Sequence, residues 1–313
     1  MRQSMYWDDF NRRIDETVTA IRSGSEPPVR RVSIFVTDFC NFNCHYCNGD
    51  RKGKHMSETV FRDIMAKYGD TAILHITGGE PSIVPWLYPL LRQHGGKYRF
   101  HLNTNGFIEP PFNSVRRLKV SLDSCDPVYW DKLVGRRNAF RRVVENIYKA
   151  AEKTVTSITC TLTRENYRQS VRFANFTNRI PHLYATFFSV YKGRDRRFAW
   201  DEETATNFFE DVLPELRTVL PKESLALLDE TMDDKTRLIQ GARFPENMVG
   251  TTCYLALSER VVSPYGTETR CSHLYRDGHR TLNPTIAPQC RYGCNRRLVK
   301  FNEEVRKLLT PDQ

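Results

Sequence analysis

Cys40, Cys44 and Cys47 fall within the stretch TDFCNFNCHYCNGD, residues 37–50, and put three sulfur ligands on one short loop. A loop of this kind is a metal staple, a disulfide knot or a reaction centre. A structural zinc site takes four ligands and usually pairs its cysteines as CxxC, with a second pair elsewhere. A cubane iron–sulfur cluster has four irons. Three thiolates then leave one iron without a protein ligand, open to a small molecule that offers oxygen and nitrogen. The nine cysteines are also grouped: Cys253, Cys271, Cys290 and Cys294 form a second set, and Cys125 and Cys160 stand alone. Two groups predict two metal centres, because without an export signal such cysteines are more often ligands or catalytic groups than disulfides.

Polar residues collect at the ends of the elements that would position this loop. RVSIFVT (31–37) reads as a strand, SETVFRDIMAKYG (57–69) as a helix with Val60, Phe61, Ile64, Met65 and Tyr68 on one stripe, and TAILHIT (71–77) as a second strand. A helix near 84–94, strands at 98–104 and 116–123, a helix at 138–152, a strand at 157–163, a helix at 166–178, a strand at 183–191 and a long helix at 202–220 complete the alternation. Such alternation predicts an α/β fold with a parallel sheet and crossover helices. In RLKVSLD, Leu118, Val120 and Leu122 alternate with Lys119, Ser121 and Asp123, and SITCTLT alternates likewise. A doubly wound sheet buries both faces, whereas one polar face fits a partial barrel with a wet lumen. His75 and His101 alternate with apolar neighbours and are expected to face that lumen as hydrogen-bonded residues. Cys160 is in phase with Ile158 and Leu162 and is expected to be a core thiol.

These residues resemble the radical S-adenosylmethionine (SAM) superfamily. CNFNCHYC is similar to its CxxxCx(aromatic)C signature, followed in order by TGGEP (77–81), NTNG (103–106), SLD (121–123) and TREN (163–166) at successive strand ends. The resemblance implies a partial (β/α)6 barrel in which Cys40, Cys44 and Cys47 hold a 4Fe–4S cluster with SAM on its open iron. It places Tyr46 near the adenine, gives Gly78, Gly79 and Glu80 the methionine amino group, and adds Asn103, Ser121, Asp123 and Arg164 as SAM contacts. It further implies reductive cleavage of SAM to methionine and a 5′-deoxyadenosyl radical that takes a hydrogen atom from a substrate carbon, with a flavodoxin or ferredoxin as electron donor.

The second cysteine set begins C–x12–G–x4–C, from Cys253 through Gly266 to Cys271. This resembles the SPASM/twitch extensions, and four cysteines suit the shorter twitch type, with one auxiliary 4Fe–4S cluster on a β-hairpin/helix extension held by Cys253, Cys271, Cys290 and Cys294. The closing CxxxC departs from the usual CxxC. A structural zinc site is the alternative. The expected division is an N-terminal helical extension at 1–28, the barrel at 29–220, a helical linker at 221–250 and the extension at 251–313.

Among relatives of this kind the expected reaction is dehydrogenation of a small polar metabolite such as an aminocyclitol or sugar. The alternatives are an epimerase, with Cys125 on the barrel rim as hydrogen donor, and an enzyme modifying a ribosomal peptide. The first 28 residues are short for a leader-peptide domain, which weighs against the peptide. A formal net charge of +10, with clusters such as Arg136-Arg137, Arg141-Arg142, RDRR (194–197) and Arg296-Arg297, fits solvated helix faces or an anionic partner. Nucleic acid is a further alternative, but no RNA-binding or helix-turn-helix signature accompanies the charge. No apolar run approaches the roughly 20 residues of a membrane span, and a cytoplasmic location is expected.

Overall fold

The computed structural model describes residues 4–310 apart from 48, 50–52, 192, 194, 233, 236–238, 240–243, 245, 273–274, 276–277, 279–280, 289 and 291–295. Cys294, Arg194 and the side chains of Arg296 and Arg297 lie outside the described residues.

After helix α1 (Ser4–Arg22) come β1 (Arg31–Phe35), α2 (Glu58–Tyr68), β2 (Ile73–Thr77), α3 (Leu87–His94), β3 (Phe100–Thr104) and β4 (Arg117–Ser121). Then follow α4 (Pro127–Leu133), α5 (Ala139–Lys153), β5 (Val155–Leu162), α6 (Ser170–Thr177) and β6 (Ala185–Val190). Among the described residues the strands form one sheet in the order β6-β5-β4-β3-β2-β1-β7-β8, with β7 at Glu259–Val262 and β8 at Glu268–Thr269. Every pairing is parallel except that of β7 with β8. This is the α/β partial barrel that the alternation predicts.

One face of each strand is dry. Val32, Ile34, Leu74, Ile76, Phe100, Leu102, Leu118, Val120, Ile158, Cys160 and Leu162 are all buried under Phe61, Leu91, Trp130, Val143, Ile147 and Phe173 of the helices. Trp130 is 1% exposed, and its truncation to alanine would cost about 3–5 kcal/mol. On the opposite face Arg31, His75, His101, Asn103, Arg117, Lys119 and Phe187 remain half-buried, so the lumen is polar as expected.

Two local features depart from the sequence reading. Helix α4 is a single short element in which the Asp126 carboxylate accepts from Val128 N and Tyr129 N, with Pro127 opening the first turn. At seven residues it is too short to announce itself by periodicity. The expected long helix is divided into α7 (Glu202–Asn207), a wide π-type turn (Phe208–Val212) and α8 (Leu213–Val219). Pro214 has no N–H to continue the ladder there, which accounts for the break. Helix α9 (Lys222–Thr231) follows.

The hairpin near SPYG is present, closed by Gly266 N donating to Ser263 O at 2.9 Å and by Gly266 at φ +80°. Its first strand, β7, lies parallel to β1, so the C-terminal segment continues the barrel sheet. Helices α10 (Tyr254–Leu257) and α11 (Arg296–Leu309) close over α1, with Ile14, Val18, Leu255, Phe301 and Val305 in a small separate core.

Candidate functional site

The cysteine loop leaves β1 and is held from two sides. Asn43 N and His45 N donate to Val134 O and Leu133 O at the end of α4, at 2.8 and 3.0 Å. On the other side Gly79 N and Glu80 N donate to Thr37 O and Phe39 O, at 2.7 and 2.8 Å. This close approach explains the paired glycines. A Cβ on Gly79 would meet Phe39 O at 2.1 Å, and one on Gly78, at φ +143°, would meet Thr37 O at 2.5 Å.

Glu80 is 1% exposed and ties three segments together. Its Oε1 accepts from Ser82 N at 2.9 Å and Thr104 Oγ1 at 2.6 Å, and its Oε2 from Asn105 N at 2.6 Å. Burial raises its pKa, against these hydrogen bonds. A carboxylate has about four lone-pair sites, so Oε2 retains one acceptor position. Asn105 carries the connection to the thiols: its Nδ2 donates to Asn41 Oδ1 at 2.7 Å and reaches Cys40 Sγ at 4.0 Å. The sequence reading chose Asn103 from NTNG. The structure instead turns Asn103 toward His75, within the lumen, and brings Asn105 to the cysteine loop.

A second tie closes β4 and β5 over the loop. The Tyr46 hydroxyl donates to Asp123 Oδ2, and Thr161 N donates to Asp123 Oδ1 at 2.7 Å. The Tyr46 ring meets Tyr191 and Phe198 edge-on, each at 6.2 Å. Burial pushes the Asp123 carboxyl up to about 6, opposed by the two hydrogen bonds, and raises the Tyr46 phenol. Asn166 of TREN, 2% exposed, donates to Asp123 O at 3.2 Å and to Thr161 O at 3.0 Å. It was overlooked in favour of Arg164, which is exposed and paired with Asp201 at 2.9 Å. Ser121 is exposed at the end of β4. Cys160 is buried as expected. Cys125 is half-buried, packs against the main core and lies within electrostatic reach of Arg172 of α6.

No disulfide joins two of the described cysteines. Phe42 N donates to Cys40 Sγ at 3.4 Å and Gly49 N to Cys47 Sγ at 3.3 Å. Amide donors aimed at sulfur suit thiolates that carry charge to a cluster and tune its potential. Among the described residues no three His, Cys, Asp or Glu side chains are grouped to hold a single metal ion. A cubane makes no such demand, because it spreads its thiolates over separate irons. Loop, sulfur-directed donors and strand-end polar groups therefore fit a three-thiolate cluster.

In the second set, burial first, then Cys271 and Cys290, push the Cys253 thiol up to about 12, so both lie within electrostatic reach of Cys253. Cys253 N donates to Pro284 O at 2.6 Å, and Tyr254 N to Asn302 Oδ1 at 2.6 Å. Cys253 precedes β7 and Cys271 follows the antiparallel β8, which puts both at the end of the sheet opposite the Cys40 loop.

A parallel partial barrel bearing a three-cysteine loop at the carboxyl ends of its strands defines a class, and residues 34–177 match the model of the Radical SAM superfamily. That match spans a little under half of the chain. The chain is similar to the GTP 3′,8-cyclase of Picosynechococcus sp. (strain PCC 7002), 30% identical over 134 residues, which is 36% of this chain and 40% of that protein. The GTP 3′,8-cyclase of Vibrio vulnificus (strain YJ016) is 29% identical over 136 residues, and the match again spans 40% of its length. Among solved structures, Streptococcus suis SuiB bound to precursor peptide SuiA superposes with a TM-score of 0.61 at 15% identity, over 86% of this chain and 65% of that one. Native anSMEcpe with bound AdoMet and Cp18Cys peptide gives 0.54 at 16% identity, over 91% of this chain and 85% of that one. These two likenesses establish a shared fold. Among the described residues no helix is long and apolar enough to cross a membrane.

Proposed function

We propose that this chain is a radical SAM enzyme of the oxidising type, acting on a substrate C–H bond held in the barrel lumen. When bound, a 4Fe–4S cluster and SAM supply the chemistry: one-electron cleavage to methionine and a 5′-deoxyadenosyl radical that takes a hydrogen atom. Cys40, Cys44 and Cys47 are the proposed cluster ligands, and the amide donors of Phe42 and Gly49 hold their charge. The free acceptor position of Glu80, beside Gly78 and Gly79, receives the SAM ammonium. Tyr46 and the Asp123–Asn166 tie wall the adenosine side, with Ser121 and Asn103 deeper in the lumen. Arg164 reaches SAM only by leaving Asp201. An acidic one-electron donor protein completes the system.

The observation that carries this reading is Asn105, which joins the Cys40 loop to the Glu80 carboxylate through a 2.7 Å side-chain and a 2.6 Å backbone hydrogen bond. An epimerase that returns a hydrogen atom needs a thiol beside the substrate radical, and the position of Cys125 toward α6 favours oxidation instead. The grouping of Cys253, Cys271 and Cys290 supports a second cluster, with Cys294 as the candidate fourth ligand. The likeness to GTP 3′,8-cyclases and to SuiB bound to its precursor peptide makes a cyclisation or a peptide substrate the second reading.

The test is anaerobic reconstitution. Wild type should bind about eight irons per chain and release 5′-deoxyadenosine with a strong reductant. A Cys40, Cys44 and Cys47 triple alanine variant should keep about half the iron and release none. Undiminished cleavage in that variant would sink the proposal.

A further inference from the structure

The lumen face of β2–β4 has a charge pattern that the reading above does not use. Register places His75 beside His101 and His101 beside Arg117, with Asn103 beside Lys119 one row higher. Arg31 bonds to His75 Nδ1 from β1. Across the lumen Phe187 of β6 receives Lys119 Nζ at 4.3 Å and the Arg117 guanidinium at 5.4 Å over its ring. All seven side chains are half-buried, while their in-between neighbours Leu74, Ile76, Leu102, Leu118 and Val120 are dry, so they border solvent-filled space.

We infer that Arg31, Arg117 and Lys119 form the anchor for an oxyanion on the substrate, a phosphate or carboxylate of a small organic acid. This rests on the radical SAM reading and names its substrate class. A guanidinium offers a planar fork that matches either oxyanion, and an ammonium adds a point charge. The cation–π contacts on Phe187 hold Lys119 and Arg117 in extended positions at little entropic cost. The two histidines register the same field. Burial first, then Arg31 and other cations, depress both, His101 to about 3. At neutral pH each therefore stays an uncharged imidazole with one donor and one acceptor for a bound ligand.

The placement also orients the substrate. At roughly 3.3 Å per residue, Lys119 lies about 13 Å below Asp123 along β4. The anionic end points toward the Cys253 end of the sheet and the reacting carbon toward the Cys40 loop. An aminocyclitol, a polycation at neutral pH, meets repulsion in this lumen, and the aminocyclitol expectation is set aside on that ground.

Cluster-loaded protein is titrated calorimetrically with inorganic pyrophosphate, with citrate and with the diamine 2-deoxystreptamine, and SAM binding is measured on the same wild-type sample. Pyrophosphate or citrate should bind wild type, the tighter of the two marking phosphate or carboxylate as the group preferred, and 2-deoxystreptamine should not. Lys119→Met and Arg117→Met should each weaken oxyanion binding at least tenfold, and Lys119→Arg should retain it. Failure of both oxyanions to bind wild type, equal binding in the two Met variants, or binding of the diamine would overturn the inference. SAM binding without oxyanion binding overturns this inference alone, and loss of SAM binding overturns the reading beneath it.

Discussion

Tyr46 and Asp123, 77 positions apart in the chain, meet through a phenol-to-carboxylate hydrogen bond that latches the cysteine loop to the end of β4. The latch matters because Asp123 is 4% exposed and sits where the backbone of β5 also bonds to it. Loop position and strand position are thereby fixed by one side-chain pair.

Replacing Tyr46 by phenylalanine leaves Asp123 Oδ2 buried without that donor. An unsatisfied buried acceptor costs about 1–3 kcal/mol. Urea unfolding of cluster-free Tyr46→Phe should show a loss of that size, with SAM affinity of the loaded protein falling in parallel. An unchanged midpoint would mean the bond contributes nothing.

Asp123 makes a pH-dependent contribution whose sign follows from its raised pKa. The folded carboxyl titrates at about 6, above its ordinary range near 3.9. Its stabilising contribution is full below the unfolded value and is lost as pH rises toward 6. Asp123→Asn keeps an acceptor for Thr161 N without the charge. The melting temperature of the variant relative to wild type should therefore climb between about pH 4 and pH 6 and level off above. A difference that is flat over this range would show that the carboxyl is not shifted upward.

Glu80→Gln tests a double role. A glutamine cannot accept from Ser82 N, Thr104 Oγ1 and Asn105 N without setting its amide donor against one of them. Stability should drop by about 1–3 kcal/mol. Loss of the charge should also weaken SAM binding by at least about tenfold, the scale of a charge-assisted hydrogen bond. Full stability with weakened SAM binding would confine Glu80 to the ligand. Weakened stability with unchanged SAM binding would confine it to the fold.

Asn105→Ala removes the side-chain donor nearest Cys40 Sγ. Hydrogen bonds to cluster sulfurs favour the reduced, more negative state, so the potential should move to more negative values. A redox titration followed by electron paramagnetic resonance reads this directly. A potential equal to that of wild type would show that Nδ2 serves Asn41 alone.

The legible parts of this protein were those written in local pattern. Three cysteines on one loop, glycines before Glu80 and alternation in β4 and β5 need no distant partner to be recognised. Asn105 and Asn166 escaped for a physical reason. Alternation says which way a residue faces only while the strand lasts, and β3 ends at Thr104. Beyond it the chain turns, and Asn105, just past the strand end, is the asparagine that reaches the cysteines. The structural role of Glu80 was hidden too, because its sequence context says nothing of Thr104 and Asn105, which approach it from the next strand. The pairing of β7 with β1 was equally hidden. ERVV is a four-residue run, and nothing within it specifies which edge it joins.

That pairing has a consequence for how the protein is made. β1 has a neighbour on both sides only because β7, from near the far end of the chain, lies along it. Synthesis proceeds from the N-terminus, so the strand that leads into the Cys40 loop emerges well before β7 and keeps a bare edge until residues 259–262 arrive. Such long-range closure is slow. A ribosome stalled before residue 259, or a chain cut there, would leave the thiols beside an open strand edge prone to pair with another chain, so iron delivery to this loop is best timed after release.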